Sequence, residues 1–123
     1  MTIVLVLVGG ALGAPLRYLT DLFVQSRHDS VFPWGTFIVN MVGSLILGVT
    51  AGVVSAADGP GWVLTLVGTG FCGAMTTFSA FGFETVRLVE DGSLVEAGLN
   101  ATASLLVGMV ACAGGWAFAT ALV

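Results

Sequence analysis

The chain has 123 residues, of which 57% are hydrophobic and only 8% charged, whereas a soluble domain usually carries about 25% charged residues. A soluble fold of this length could not hide so much apolar surface, so the surrounding solvent is lipid. The formal net charge of −4 excludes the basic surface that nucleic-acid binding needs.

A helix needs about 20 predominantly apolar residues to cross the hydrocarbon core. Four such stretches account for nearly the whole chain, which predicts an all-α integral membrane protein with a single four-helix transmembrane domain. The first span is expected over about residues 2–23. It lacks the basic start of a signal peptide and carries Arg17, so it reads as a retained span. Arg17 is near enough to the span end to snorkel, and Asp21, four residues on, is placed to pair with it. The polar run Gln25-Ser26-Arg27-His28-Asp29-Ser30 follows as a loop, with His28 simply solvated. Span two is expected over about 33–55, Pro33 being suited to the first turn of a helix. Asp58-Gly59-Pro60-Gly61 is a turn. Span three is expected over about 62–89. Glu90-Asp91-Gly92 turns the chain again, and Ser93 with Glu96 forms a capping-box pattern that opens span four, about 94–122.

Trp34, Trp62 and Trp116 fall near span ends, as an interfacial aromatic belt would. The three basic residues, Arg17, Arg27 and Arg87, map to the face shared by loops one and three. The positive-inside rule puts that face in the cytoplasm and both termini outside. Gly9-x-x-x-Gly13 and Gly48-x-x-x-Gly52 are small-residue faces that let helices approach closely. Cys72 and Cys112 fall in apolar stretches, form no C-x-x-C pair and read as small buried residues. Four short spans make a thin bundle with little interior, so an oligomer is expected.

Polar groups inside a membrane are expensive, and each asks for a reason. Span three is the densest case. Gly68-x-Gly70-x-x-Gly73 matches the dinucleotide-binding fingerprint letter for letter, but it lies within a span and has no βαβ context, so that reading fails. The better reading is a helix break: glycines followed by Thr76 and Thr77 weaken the helix near Met75, the middle of the span and hence the bilayer midplane. The alternative is an unbroken helix packed closely through its glycines. A break would free carbonyls for a cation and N–H groups for an anion, and is tolerated only where it is buried in protein or lines a watery cavity.

Phe78 and Phe81, three residues apart, share a helix face. Their rings either present positive edges to an anion or simply pack, the usual case; Thr77, Ser79 and Glu84 around them weaken the case for mere packing. Glu84 and Arg87 are spaced to pair. In span two, Thr36, Asn40 and Ser44 line one stripe, and the Asn40 amide either donates to an anion or bonds a neighbouring helix. In span four, Asn100, Thr102 and Ser104 add polar groups, whose hydroxyls could bond back to the helix. Asn100-x-Thr102 matches a glycosylation acceptor that would be unreachable within a span.

These residues carry a resemblance. Gly9-Gly10-x-x-Gly13-Ala14-x-x-Arg17-Tyr18, Gly35-Thr36-x-x-x-Asn40-x-x-Gly43-Ser44 with Gly48, and Gly70 to Gly73 followed by Thr76-Thr77-Phe78-Ser79-x-Phe81-x-x-Glu84 resemble, in order, the first three helix motifs of the Fluc (CrcB-type) fluoride channels. Span four matches in length and polarity only. The resemblance implies a passive, fluoride-selective channel in the cell inner (plasma) membrane that lets cytoplasmic fluoride out. It implies an inverted, antiparallel dimer with two pores. The broken third helices would cross at the centre and hold a structural sodium ion through the backbone carbonyls of Gly73 and Thr76. The family phenylalanines fall on Phe78 and Phe81, the pore asparagine on Asn40, polar positions on Thr77 and Ser79, and a fourth-helix hydroxyl on Ser104; Arg17, Thr36 and Glu84 fall on further polar motif positions. Some members work as homodimers and others as pairs of oppositely oriented homologues. A homodimer is expected here, because Arg17 is itself a motif residue and only two basic residues then bias the orientation.

Three rival readings make different demands on the chain. A small proton-coupled multidrug exporter needs a carboxylate in the middle of span one, where the only acid, Asp21, lies near its end. A membrane enzyme such as a lipid kinase needs clustered acids for a metal, whereas Glu90, Asp91 and Glu96 read as a solvated turn. A non-transporting assembly subunit would use Phe78 and Phe81 for packing alone.

Overall fold

The computed structural model describes residues 1–27 and 29–123 and is all helical among them. Four helices are long and apolar enough to cross a membrane: Thr2–Arg27, Trp34–Ala56, Gly61–Glu90 and Leu94–Leu122. We call the first two α1 and α2. The third is interrupted, giving α3 (residues 61–75) and α4 (Phe78–Glu90), and the last is α5. The third span has the lowest mean hydropathy, 1.4 against 1.7 to 2.1 for the others, because it carries the polar residues around its interruption.

Helix α1 runs four residues beyond its expected end, so Gln25, Ser26 and Arg27 are helical rather than loop. Local side-chain bonds extend it past the apolar run. Gln25 Nε2 donates to Asp21 Oδ2 at 3.0 Å, Ser26 Oγ donates to the Phe23 carbonyl at 2.7 Å, and the Arg27 guanidinium lies 5.0 Å from the Phe23 ring centroid. His28 lies outside the described residues. The expected Arg17–Asp21 pair is replaced by the Gln25–Asp21 bond. Arg87 turns away from Glu84 to Asp91, 3.9 Å off on an exposed surface, the one ion pair among the described residues. Pro33 stands one place earlier than expected, at the N-cap of α2.

The capping box at the start of α5 does not form. Ser93 occupies the N-cap position but its side chain makes no capping bond. A Glu96 carboxylate would need the Ser93 N–H, and that donor already goes to the Leu88 carbonyl at 2.8 Å as α4 ends. Gly92 makes the reversal possible with φ of 80°.

Two glycine seams hold the bundle. Helix α1 lies against α3, and α2 lies against α5 in the most extensive pairing. A methyl on Gly9 would meet the Leu66 carbonyl oxygen and lie 2.7 Å from the Phe71 nitrogen, and one on Gly13 would meet the Phe71 oxygen. On the other seam, a methyl on Gly48 would meet the Cys112 carbonyl oxygen and lie 2.8 Å from its carbon. Both small-residue faces thus bring backbone onto backbone. The backbone under Gly9 and Gly13 is itself unusual: residues 64–72 form a π-helix, closed where the Gly73 N–H reaches the Gly68 carbonyl five residues back. The core is small, with Val39, Met75, Leu88 and Ala119 among its buried side chains, while large apolar residues such as Leu7, Leu12, Leu106 and Met109 are exposed on the outside where lipid would lie. Cys72 and Cys112 are free thiols, the first buried and the second partly so.

Gly48→Ala is expected to lower stability by about 1–3 kcal/mol by forcing α2 from α5, whereas Gly61→Ala, where a methyl meets nothing within 4 Å, is expected to leave it unchanged. Thermal unfolding of the two variants in detergent checks this; equal midpoints would contradict the seam.

Candidate functional site around the interrupted helix

The interruption falls at Thr76 and Thr77, next to the expected Met75 and at the midpoint of residues 61–90. Both residues are extended, with ψ of 158° and 121°. A continuous helix is therefore excluded. The local cause is chemical competition for the backbone donors. The Thr76 hydroxyl donates back to the Cys72 carbonyl at 2.8 Å, alongside the Thr76 N–H at 2.9 Å. The Thr77 N–H, which a helix would give to the Gly73 carbonyl, goes instead to Asn40 Oδ1 at 2.8 Å. The Ala80 N–H, due to the Thr76 carbonyl, goes to Thr77 Oγ1 at 3.2 Å, so Thr77 caps α4. The break deprives four carbonyls of their helical donors, those of Gly73, Ala74, Met75 and Thr76.

Asn40 completes the arrangement. Besides accepting the Thr77 N–H, it donates Nδ2 to the Thr77 carbonyl at 3.1 Å. Of its two sequence readings, bonding to a neighbouring helix is what the structure shows, and one Nδ2 hydrogen remains for something else. Thr36, one turn earlier on α2, donates its hydroxyl to Glu84 Oε1 at 2.8 Å, tying α2 to α4. The other carboxylate oxygen of Glu84 is buried without a hydrogen-bond partner.

Two cavities meet at Thr77. One, of about 300 Å³, is lined by Asn40, Ser44, Gly73, Thr76, Thr77, Phe78, Phe81 and Ser104. The other, of about 320 Å³, is lined by Arg17, Thr36, Thr77, Ser79 and Glu84. The structure thus gathers every candidate side chain around the break but divides them: Ser79, Arg17, Thr36 and Glu84 lie on one side, the phenylalanines and Ser104 on the other. Arg17 makes no ion pair within 4.0 Å among the described residues. Thr77 Oγ1 and Ser79 Oγ are 3.1 Å apart and share a hydrogen bond. The Phe78 and Phe81 rings are 5.6 Å apart at 46°, and Phe78 is 79% exposed although it lies at the middle of the span.

Two residues had no role in the sequence reading. Asn100 is 1% exposed and donates Nδ2 to Thr85 Oγ1 at 2.8 Å; Thr85 donates to the Phe81 carbonyl at 2.7 Å. An amide within a span was a visible signal for Asn100. Nothing marked Thr85, whose importance depends on which helix faces it.

Fold and site together define a small multi-pass membrane protein built around a span interrupted at mid-depth, the arrangement by which such proteins offer bare backbone groups to ions. The profile of the family described as CrcB-like protein, Camphor Resistance (CrcB) matches residues 4–116, and the chain belongs to that family. It is 52% identical over 127 residues to a fluoride-specific ion channel FluC 1 of Frankia casuarinae, covering 99% of this chain and 98% of the relative. A protein of the same name from Streptomyces avermitilis is 50% identical over 122 residues with the same coverage. One from Nocardia farcinica is 58% identical over 93 residues, covering 76% of this chain and 63% of the relative. These relatives are named as channels, a non-enzyme class, and by that kinship the chain is not an enzyme.

Asn40→Leu leaves the Thr77 N–H without a partner and its carbonyl with only the helical bond an N-cap accepts, and is expected to cost about 2 kcal/mol. Thr50→Val, which removes only a bond from α2 to its own Ile46 carbonyl, is expected to change little. Chemical unfolding in detergent compares them, and an unaltered Asn40→Leu would contradict the staple.

Proposed function

We propose that this protein is a passive, fluoride-selective channel of the plasma membrane that lets accumulated fluoride leave the cytoplasm. The observation that carries the reading is the break at Thr76 and Thr77, held open by Asn40 beside a cavity lined by Phe78 and Phe81. Fluoride is small and strongly hydrated, so a path for it must replace water with several donors. The spare Nδ2 hydrogen of Asn40, the hydroxyls of Thr77, Ser79 and Ser104, and the positive ring edges of Phe78 and Phe81 are suited to that task. The names of the relatives support the choice of ion.

The working unit in this reading is an antiparallel homodimer with two pores. An axis in the membrane plane would relate two copies where each third helix is interrupted, and the exposed mid-span ring of Phe78 supports such a contact. The carbonyls of Gly73 and Thr76, deprived of their helical donors, fit a hard cation that takes oxygen ligands. In two copies they would hold a structural sodium ion, whose charge would offset the mutual repulsion of the carbonyl dipoles. Pairing with an oppositely oriented homologue is the alternative assembly.

Purified protein in liposomes is expected to release fluoride rapidly and retain chloride, followed with ion-selective electrodes; folded, dimeric protein that releases neither would overturn the reading. Phe81→Ile is expected to cut fluoride release by about tenfold or more with the dimer intact, a factor corresponding to about 1.4 kcal/mol. Asn40→Asp is expected to do the same by placing negative charge beside an anion path. For the dimer, a C-terminal tag on active protein made without a homologue is expected to be reachable from both sides of the membrane. One-sided labelling would exclude dual insertion.

A further inference from the structure

Ser104 lines the cavity that holds Asn40, Phe78 and Phe81, but its hydroxyl hydrogen is engaged behind the cavity wall, donated to Asn100 Oδ1 at 3.3 Å. The directions of the bonds behind it are forced. The Phe81 carbonyl can only accept, so the Thr85 hydroxyl must donate to it. Thr85 Oγ1 is left with lone pairs and takes a hydrogen from Asn100 Nδ2. The amide is thereby oriented without ambiguity, Nδ2 toward Thr85 and Oδ1 toward Ser104. Asn100 is 1% exposed and does not line the cavity.

The links are unequal. The two inner bonds, 2.7 and 2.8 Å, are at the usual distance, while the outermost, at 3.3 Å, is long for an O–H···O contact. The Ser104 hydrogen is therefore the one that leaves most easily, and rotation about the Cβ–Oγ bond redirects it with no movement of the helix. A bare anion is also a stronger acceptor than an amide oxygen.

We infer that Asn100 is a positioning residue for anion passage: anchored through Thr85 to the Phe81 carbonyl, it parks the Ser104 hydroxyl as a donor that swings to an anion in the cavity and returns when the anion leaves. This rests on the fluoride-channel reading above. The relay gives the ion a donor only while it is present, so the empty cavity holds no unpaired hydroxyl. A more diffuse anion such as chloride draws the hydrogen less strongly, which adds to selectivity.

Fluoride and chloride release from liposomes is compared for wild type, Ser104→Ala, Asn100→Ala and the double variant, with the dimer checked by size-exclusion chromatography. Each single change is expected to slow fluoride release about tenfold, and the double change no more than the slower single, because residues acting as a unit are non-additive. Multiplied losses of about a hundredfold in the double variant would mean independent effects and overturn the relay. Normal release by Asn100→Ala would overturn it as well. Should Asn100→Ala fail to fold, Thr85→Val and Thr85→Ser decide: slowed release for the valine and normal release for the serine support the relay, and equal rates for the two overturn it. Absence of fluoride release from wild type would overturn the channel reading and the relay with it, whereas normal wild-type release with additive variants would overturn the relay alone.

Discussion

In hydrocarbon, a peptide group that loses its helical partner has no water to turn to, and each such group costs several kcal/mol unless the protein supplies a substitute. The third span meets this constraint with one side chain from another helix. Asn40 has a carboxamide, one acceptor and a two-hydrogen donor on the same plane, and it takes both polar groups of Thr77 at once. Threonine hydroxyls take the neighbouring load: Thr76 bonds back to Cys72 and Thr77 caps the helix that follows. Of the N–H groups that lose a helical acceptor, those of Thr77 and Ala80 are thus given new partners. What remains includes an excess of acceptors, the carbonyls of residues 73–76, at the depth where lipid offers no donor.

That local solution depends on how closely the helices approach. Asn40 reaches Thr77 because α2 carries Gly43 directly opposite Thr76, whose methyl occupies the space a side chain there would need. Helix α1 presses through Gly9 and Gly13 onto the backbone of the π-helical stretch, and the widened turn gives that seam its breadth. With little apolar volume to bury, the bundle derives its order from backbone contact and van der Waals packing rather than from a large core, as expected where lipid supplies no hydrophobic drive between helices.

The polar side chains follow a division of labour. Thr36 with Glu84 and Asn100 with Thr85 each cross from one helix to another, and so do both bonds of Asn40. These are the bonds that fix relative helix positions. Hydroxyls on the two cavities, at Ser79 and Ser104, make longer or shared contacts of 3.1 and 3.3 Å. Of the inter-helix links only Asn100 with Thr85 sits behind the cavities, whereas Asn40, Thr36 and Glu84 line them.

The number of spans, their approximate ends and the depth of the interruption were legible in the residues alone, because hydropathy and the run of glycines and threonines act over a few turns of one helix. The small-residue seams were legible for the same reason. The ends of helices were read less well: Gln25, Ser26 and Arg27 join α1 through side-chain bonds that an apolar count does not see, and Ser93 loses its capping partner because Leu88 claims its N–H first. The sequence also left Asn40 with two roles and Asn100 with none. Only the tertiary structure decided those, since an amide's function depends on what lies within hydrogen-bond reach of it, and for Asn40 that is Thr77, 37 residues away in the interruption of the third span. Composition and periodicity determine that a chain spans the membrane and where it is weak; which groups meet across the weak point is set by the packing of different helices, which no local pattern encodes.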